Sequence, residues 1–224
     1  MAGTDSIDRL ICALGADLAP VRRLASPALR AFGWLAIVAA IGVALAIFAD
    51  VHAMARRLVA APDMWIAGIG SLLTAVLAVL AAFQLSLPDR KAAWALLPLP
   101  TAAVWICASG IGCLRQWGLP DAHPAVLGET KNCLIFIVGL SVPLSIILIA
   151  MLRRAYSLRP NLAAAIGGLA CAAAAATLLN FIHPYDAAAT DLAVHAVAVA
   201  VIVAANRMIG GRILANSKNI LASA

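Results

Sequence analysis

Charge is scarce in this sequence: Asp, Glu, Lys and Arg together make up 12% of 224 residues, and Phe, Trp and Tyr add 5%. Soluble domains carry about 25% charged and about 45–50% apolar residues. Here the apolar fraction is 64% and the mean hydropathy is +1.00, which leaves too little polar surface to face water. A soluble enzyme, a secreted disulfide scaffold and a disordered regulator are all excluded on that ground. The formal net charge of +6 would suggest nucleic acid in a soluble protein. In a chain this apolar, basic excess reads instead as membrane topology, and no direct contact with nucleic acid is expected.

Catalytic signatures are missing as well. The sequence has no P-loop, no GxSxG, no HExxH and no dinucleotide fingerprint. Its apolar midsections hold no acid or base of the kind that pumps and intramembrane proteases carry at depth. No enzyme activity and no resident cofactor are expected. A small-solute or ion transporter, or a structural membrane subunit, is the alternative reading from another class.

What is present is a series of runs long enough to cross a bilayer, which takes about 20 apolar residues each. They are Ala31–Ala49, Met64–Leu87, Ala92–Gly112 with Pro98 and Pro100 near its start, Cys133–Leu152 with Pro143 inside, and Leu162–Ile182. A sixth runs from about Ala187 to Ala205 and holds Asp191 and His195 in its first turns. The runs are continuous and do not alternate, so they read as helices and not as barrel strands. The expected fold is all-α, a polytopic membrane protein of six transmembrane helices.

Twelve of the sixteen basic residues fall in the N-terminal arm, the second and fourth connections and the stretch after the sixth run, which holds Arg207, Arg212 and Lys218. The positive-inside rule therefore places both termini in the cytoplasm. The first 30 residues carry acids and no small-residue cleavage pattern, so no cleaved signal peptide is expected. The expected organisation is a cytoplasmic arm at 1–30, a transmembrane domain at 31–213 and a cytoplasmic tail at 214–224.

The arm carries an amphipathic pattern. Thr4 or Asp5 can cap a helix in which Ile7, Leu10, Ile11, Leu14 and Leu18 share one face, and Ala19-Pro20 ends it. An apolar stripe of this kind needs cover. A membrane-surface helix usually has a basic polar face, whereas this one shows Asp5, Ser6, Asp8, Arg9 and Asp17. A groove on a partner protein suits it better, with the protein's own inner loops as the other possible home. Burying all five aliphatics is worth roughly 8–15 kcal/mol gross. After ordering and association costs, about −8 kcal/mol of binding free energy remains.

Polar residues gather at the expected outer face. His183-Pro184-Tyr185-Asp186 closes the fifth span, and Asp191 and His195 stand four apart on one face of the sixth. Cys113 and Cys133 bracket the third loop. Thiolates and imidazoles suit soft or borderline ions such as zinc, cadmium or copper(I), so Cys113, Cys133, His183, Asp186, Asp191 and His195 form a candidate sensing or metal-binding set. A disulfide between the two cysteines, which stand twenty residues apart and would close a loop worth about 3 kcal/mol, and interfacial polar groups without a role are the other readings. Cys107 and Cys171 lie inside spans and read as packing.

An ordered series of short pieces adds a resemblance. Ile-Asp-Arg-Leu-Ile (7–11), Ala-Asp-Leu-Ala-Pro-Val-Arg-Arg-Leu (16–24), Gly-Cys-Leu (112–114), Asn-Cys-Leu (132–134), Leu-Arg-Arg (152–154), Leu-Arg-Pro (158–160) and His-Pro-Tyr-Asp (183–186) together resemble the NrsF-like membrane anti-sigma factors. The resemblance implies an extracytoplasmic-function sigma factor as partner, bound by the N-terminal segment. It also implies that the outer cysteines, carried over to Cys113 and Cys133, sense metal or oxidative stress. Cys12, Cys107 and Cys171 match none of these pieces.

Overall fold

The computed structural model describes residues 2–16, 24–48, 52, 62–117, 127–155, 157–179 and 189–222, with the side chains at 2–6, 62–64, 112–117, 127–133, 189–194 and 217–222 excepted. All its elements are helical: α1 (Ala2–Ala16), α2 (Pro27–Phe48), α3 (Pro62–Leu85), a 3-10 turn (Ala92–Leu96), α4 (Leu99–Trp117), α5 (Leu127–Leu152), α6 (Pro160–Leu179), α7 (Ala189–Ala205), a π-helical turn (Asn206–Gly210) and α8 (Gly211–Ala222). Six segments are long and apolar enough to cross a membrane, and this is a multi-pass membrane fold.

α6 is the centre of the bundle. It packs against α2, α3, α5, α7 and α8, and 72% of its apolar window is buried. Its composition makes that possible. Gly167, Gly168 and the Ala172–Ala176 run present almost no side chain, so neighbouring backbones approach closely. A methyl group at Gly168 would lie 2.8 Å from Asn206 Cβ and 3.1 Å from Val203 Cα. Bulkier residues fill the space on the other side, where Trp34, Phe83, Leu144, Leu148 and Leu152 are buried with the alanines of α3 and α6. Outward-facing apolar side chains such as Phe32, Ile47, Phe48 and Ile146 remain exposed, as a lipid-facing surface requires.

Hydroxyls and one amide tie the interior together. Ser71 Oγ and Thr177 Oγ1 lie 2.9 Å apart across α3 and α6. Thr74 Oγ1 donates to Thr101 Oγ1 at 3.1 Å across α3 and α4. Asn206 Nδ2 donates to Ser145 Oγ at 3.0 Å and to the Ile202 carbonyl at 2.9 Å. Each bond satisfies a polar group that hydrocarbon would otherwise penalise.

Four boundaries differ from the sequence expectation. The arm helix begins at Ala2, so Thr4 and Asp5 lie in its first turn and do not cap it. α2 begins at Pro27, because Ser26 Oγ accepts the Leu29 N–H at 3.3 Å and caps the helix; Arg30 thus falls inside it. The third span is not one helix from Ala92. Pro98 and Pro100 cannot continue an α-helical ladder, so the chain makes a 3-10 turn at Ala92–Leu96 and restarts at Leu99. The Pro98 carbonyl then accepts both the Ala102 N–H at 2.9 Å and Thr101 Oγ1 at 3.0 Å. The last span does not stop near Ala205. Its helix runs on through the π turn into α8, and its apolar window is His195–Asn216.

Candidate functional site

The topology sorts the candidate residues to opposite ends of the bundle. α2 and α6 start, and α3 and α5 finish, at the end from which the arm leaves. α4 finishes, and α5 and α7 start, at the far end.

The arm helix displays its stripe openly. Ile7, Leu10, Ile11 and Leu14 are 58%, 59%, 61% and 63% exposed, so no described part of the chain covers them, its inner loops included. Leu18 lies outside the described residues. Cys12 is a free, exposed thiol on the same helix.

At the far end, Cys113 lies near the close of α4 and Cys133 near the start of α5. α7, which carries Asp191 and His195, packs against both of these helices. The fold therefore gathers the backbones of four candidate positions at one end. The side chain of His195 is half-buried in a small cleft with Leu134, Ile137 and Ala198, and Leu134 follows Cys133 directly in α5. The side chains of Cys113, Cys133 and Asp191 lie outside the described set, as do His183 and Asp186 entirely. His195 is the one member of the six whose side chain is described. Cys107 is exposed on the outside of α4, and Cys171 is buried in α6 beside Ser145.

The arm end holds a constellation that the sequence did not announce. Arg30 is only 8% exposed. Its Nη1 donates to Ser86 Oγ at 3.4 Å, its Nη2 donates to the Met151 carbonyl, and its guanidinium carbon stands 4.6 Å from the centre of the Phe83 ring. Ser86 follows the last residue of α3 and Met151 lies in the last turn of α5. Two helix C-termini thus point their partial negative charge at this cation, which has no carboxylate partner among the described residues. Ser157 Oγ donates to the Leu85 carbonyl at 3.2 Å, and Arg159 Nη1 donates to the Arg90 carbonyl at 3.1 Å. These bonds lock the connections after α3 and α5 to each other. As a terminal arginine of the arm, Arg30 looked like one more topology marker, and its partners lie 56 and 121 residues away in the chain.

Residues 14–215 match the family described as negative regulator of sigma F, NrsF. The chain belongs to the NrsF family. The match takes in the first five spans, the sixth as far as residue 215, Cys113, Cys133 and the Arg30 constellation. Leu14 and Leu18 of the stripe lie within it, whereas Ile7, Leu10 and Ile11 precede it. Neither the curated proteins nor the solved structures contain a match to the chain. Membership makes the protein a negative regulator of a sigma factor, and a sigma factor its partner.

Proposed function

We propose that this protein is an integral inner-membrane anti-sigma factor that holds an extracytoplasmic-function sigma factor by its N-terminal arm, with both termini in the cytoplasm. The observation that carries the reading is the uncovered stripe Ile7, Leu10, Ile11 and Leu14 on a helix tethered to a bundle of this family. Such a stripe is an i, i+3, i+4, i+7 anchor set for a hydrophobic groove. The mechanism is occlusion: a sigma factor held at the membrane by its groove is withheld from polymerase. The orientation is supported by the clustering of Arg90, Lys91, Arg153, Arg154 and Arg159 at the end from which the arm leaves, as the positive-inside rule asks of a cytoplasmic end.

Release is assigned to the far end. Cys113 and Cys133 sit on helices that both pack against α7. A soft metal (zinc, cadmium or copper) bound there, or an oxidant acting on the two thiols, acts on the bundle only by favouring one of its arrangements over another. His195, Asp191, His183 and Asp186 are the further ligands available in sequence.

The test is a titration of the sigma factor into the full-length protein in lipid nanodiscs. Leu14→Asp puts a charge on the stripe and is expected to weaken binding at least a hundredfold, about 2.7 kcal/mol, with membrane insertion unchanged. Undiminished binding by this variant takes the arm out of the interface.

A further inference from the structure

We propose that the connections after α3 and α5 form a rigid cationic platform that binds an acidic face of the same sigma factor whose groove the arm fills. The inference rests on the arm reading above and adds a second contact to it.

The platform is built by bonds between segments distant in sequence. Ser157 holds the Leu85 carbonyl, Arg159 holds the Arg90 carbonyl, and Arg30 holds Ser86 and Met151 from beneath. On this frame stand Arg90, Lys91, Arg153, Arg154 and Arg159, all exposed. One carboxylate faces them among the described residues, Asp89, which lies 3.7 Å from Arg90 and is itself 69% exposed. Lys91, Arg153 and Arg154 have no carboxylate partner among the described residues.

The positive-inside rule accounts for the sign of these charges and their number, but a topology signal needs no fixed frame. Here Arg154 stands close enough for its charge to oppose that of Arg30. The Phe83 ring, the Met151 carbonyl and the Ser86 hydroxyl face Arg30, and no carboxylate among the described residues offsets the two like charges. A partner carboxylate at Arg153 and Arg154 relieves that repulsion, and guanidinium groups take carboxylates in bidentate geometry.

Geometry brings the same partner to both places. The arm helix ends at Ala16 and α2 begins at Pro27, and the residues between reach at most about 35 Å when fully extended. A sigma factor seated on the stripe is thus confined beside the platform. Its second contact then forms at an effective concentration in the millimolar range, at which even weak surface ion pairs add measurable affinity.

The experiment uses the full-length protein in zwitterionic nanodiscs and measures sigma-factor affinity at low and raised salt. Arg153→Gln together with Arg154→Gln is expected to weaken binding roughly tenfold at low salt and to flatten its salt dependence. The paired Lys substitutions should restore most of both, which a merely structural role for the guanidinium groups would not. Unchanged affinity and salt slope in the Gln pair overturn the platform, while loss of binding in Leu14→Asp alongside leaves the arm reading standing. A deficit seen only in nanodiscs of anionic lipid identifies headgroups as the occupant and also overturns the proposal. Absence of binding by the wild-type protein overturns both readings together.

Discussion

Arg30, near the start of the first transmembrane helix, donates from its Nη2 to the carbonyl of Met151 at the end of the fourth. The bond joins the point where the arm enters the bundle to the point where the connection after α5 leaves it. A cation in this place, at the C-termini of α3 and α5, meets the partial negative charge of both helix ends. Its aromatic neighbour Phe83 is fully buried and stands close enough for a cation–π contact.

Replacing Arg30 by Met keeps the length of the stem and removes the donors. The partly buried Met151 carbonyl then loses its side-chain donor. The expected cost is about 1–3 kcal/mol, read as a lower midpoint for loss of the folded state on heating in detergent. Arg30→Lys is expected to recover part of it, since one ammonium cannot span both Ser86 and Met151 in the way the guanidinium fork does.

The centre of the bundle makes a sharper steric prediction. Gly168→Ala places a methyl against Asn206 Cβ and the Val203 backbone, and the helices around the π turn must separate to admit it. The expected destabilisation is about 1–3 kcal/mol. Gly139→Ala, where a methyl meets nothing within 4 Å, should not destabilise and serves as the control. Thermal midpoints of the two variants in the same detergent check the contrast.

Topology is open to direct measurement. Reporter fusions after Arg90 and after Arg154 are expected to report cytoplasm, and fusions at Ala122 and Ala188 the opposite side. The reversed pattern would put the platform and the arm outside the cell and detach both from any sigma factor.

The two cysteines yield a test of sensing that is independent of the arm. A membrane-impermeant thiol reagent applied to spheroplasts is expected to label Cys113 and Cys133, with zinc or cadmium protecting both. Cys113→Ser and Cys133→Ser should each keep the sigma factor sequestered under metal or oxidant stress, because a serine hydroxyl stays protonated and binds soft metals poorly. The double variant should resemble either single one, as residues acting as a unit are not additive. Normal induction in both single variants removes the sensor role and leaves the anti-sigma role intact.

The spans were legible in the sequence because uncharged runs of bilayer length admit few other structures. The phase of the arm stripe was legible for a similar reason, since a spacing of three and four residues has one geometric meaning. Two things were hidden. Proline content marked the start of the third span without saying that Pro98 would divide it, because prolines in first turns are also common. Arg30 was hidden more deeply. Its burial depends on Ser86, Met151 and Phe83 arriving from other helices, and no local pattern around Leu29 and Ala31 reports that. The central place of α6 was half-visible, in that Gly167, Gly168 and the alanine run marked a helix able to pack closely without naming its neighbours.

Co-flotation tests the central claim most directly. Vesicles carrying the full-length protein, those carrying Leu10→Asp and those without protein are mixed with the purified sigma factor and floated through a density gradient. The expected result is sigma factor in the floated fraction with the wild-type protein alone, and in the soluble fraction with Leu10→Asp and with bare vesicles. Equal flotation with wild type and Leu10→Asp would contradict capture by the arm, and no flotation with wild type would contradict sequestration at the membrane.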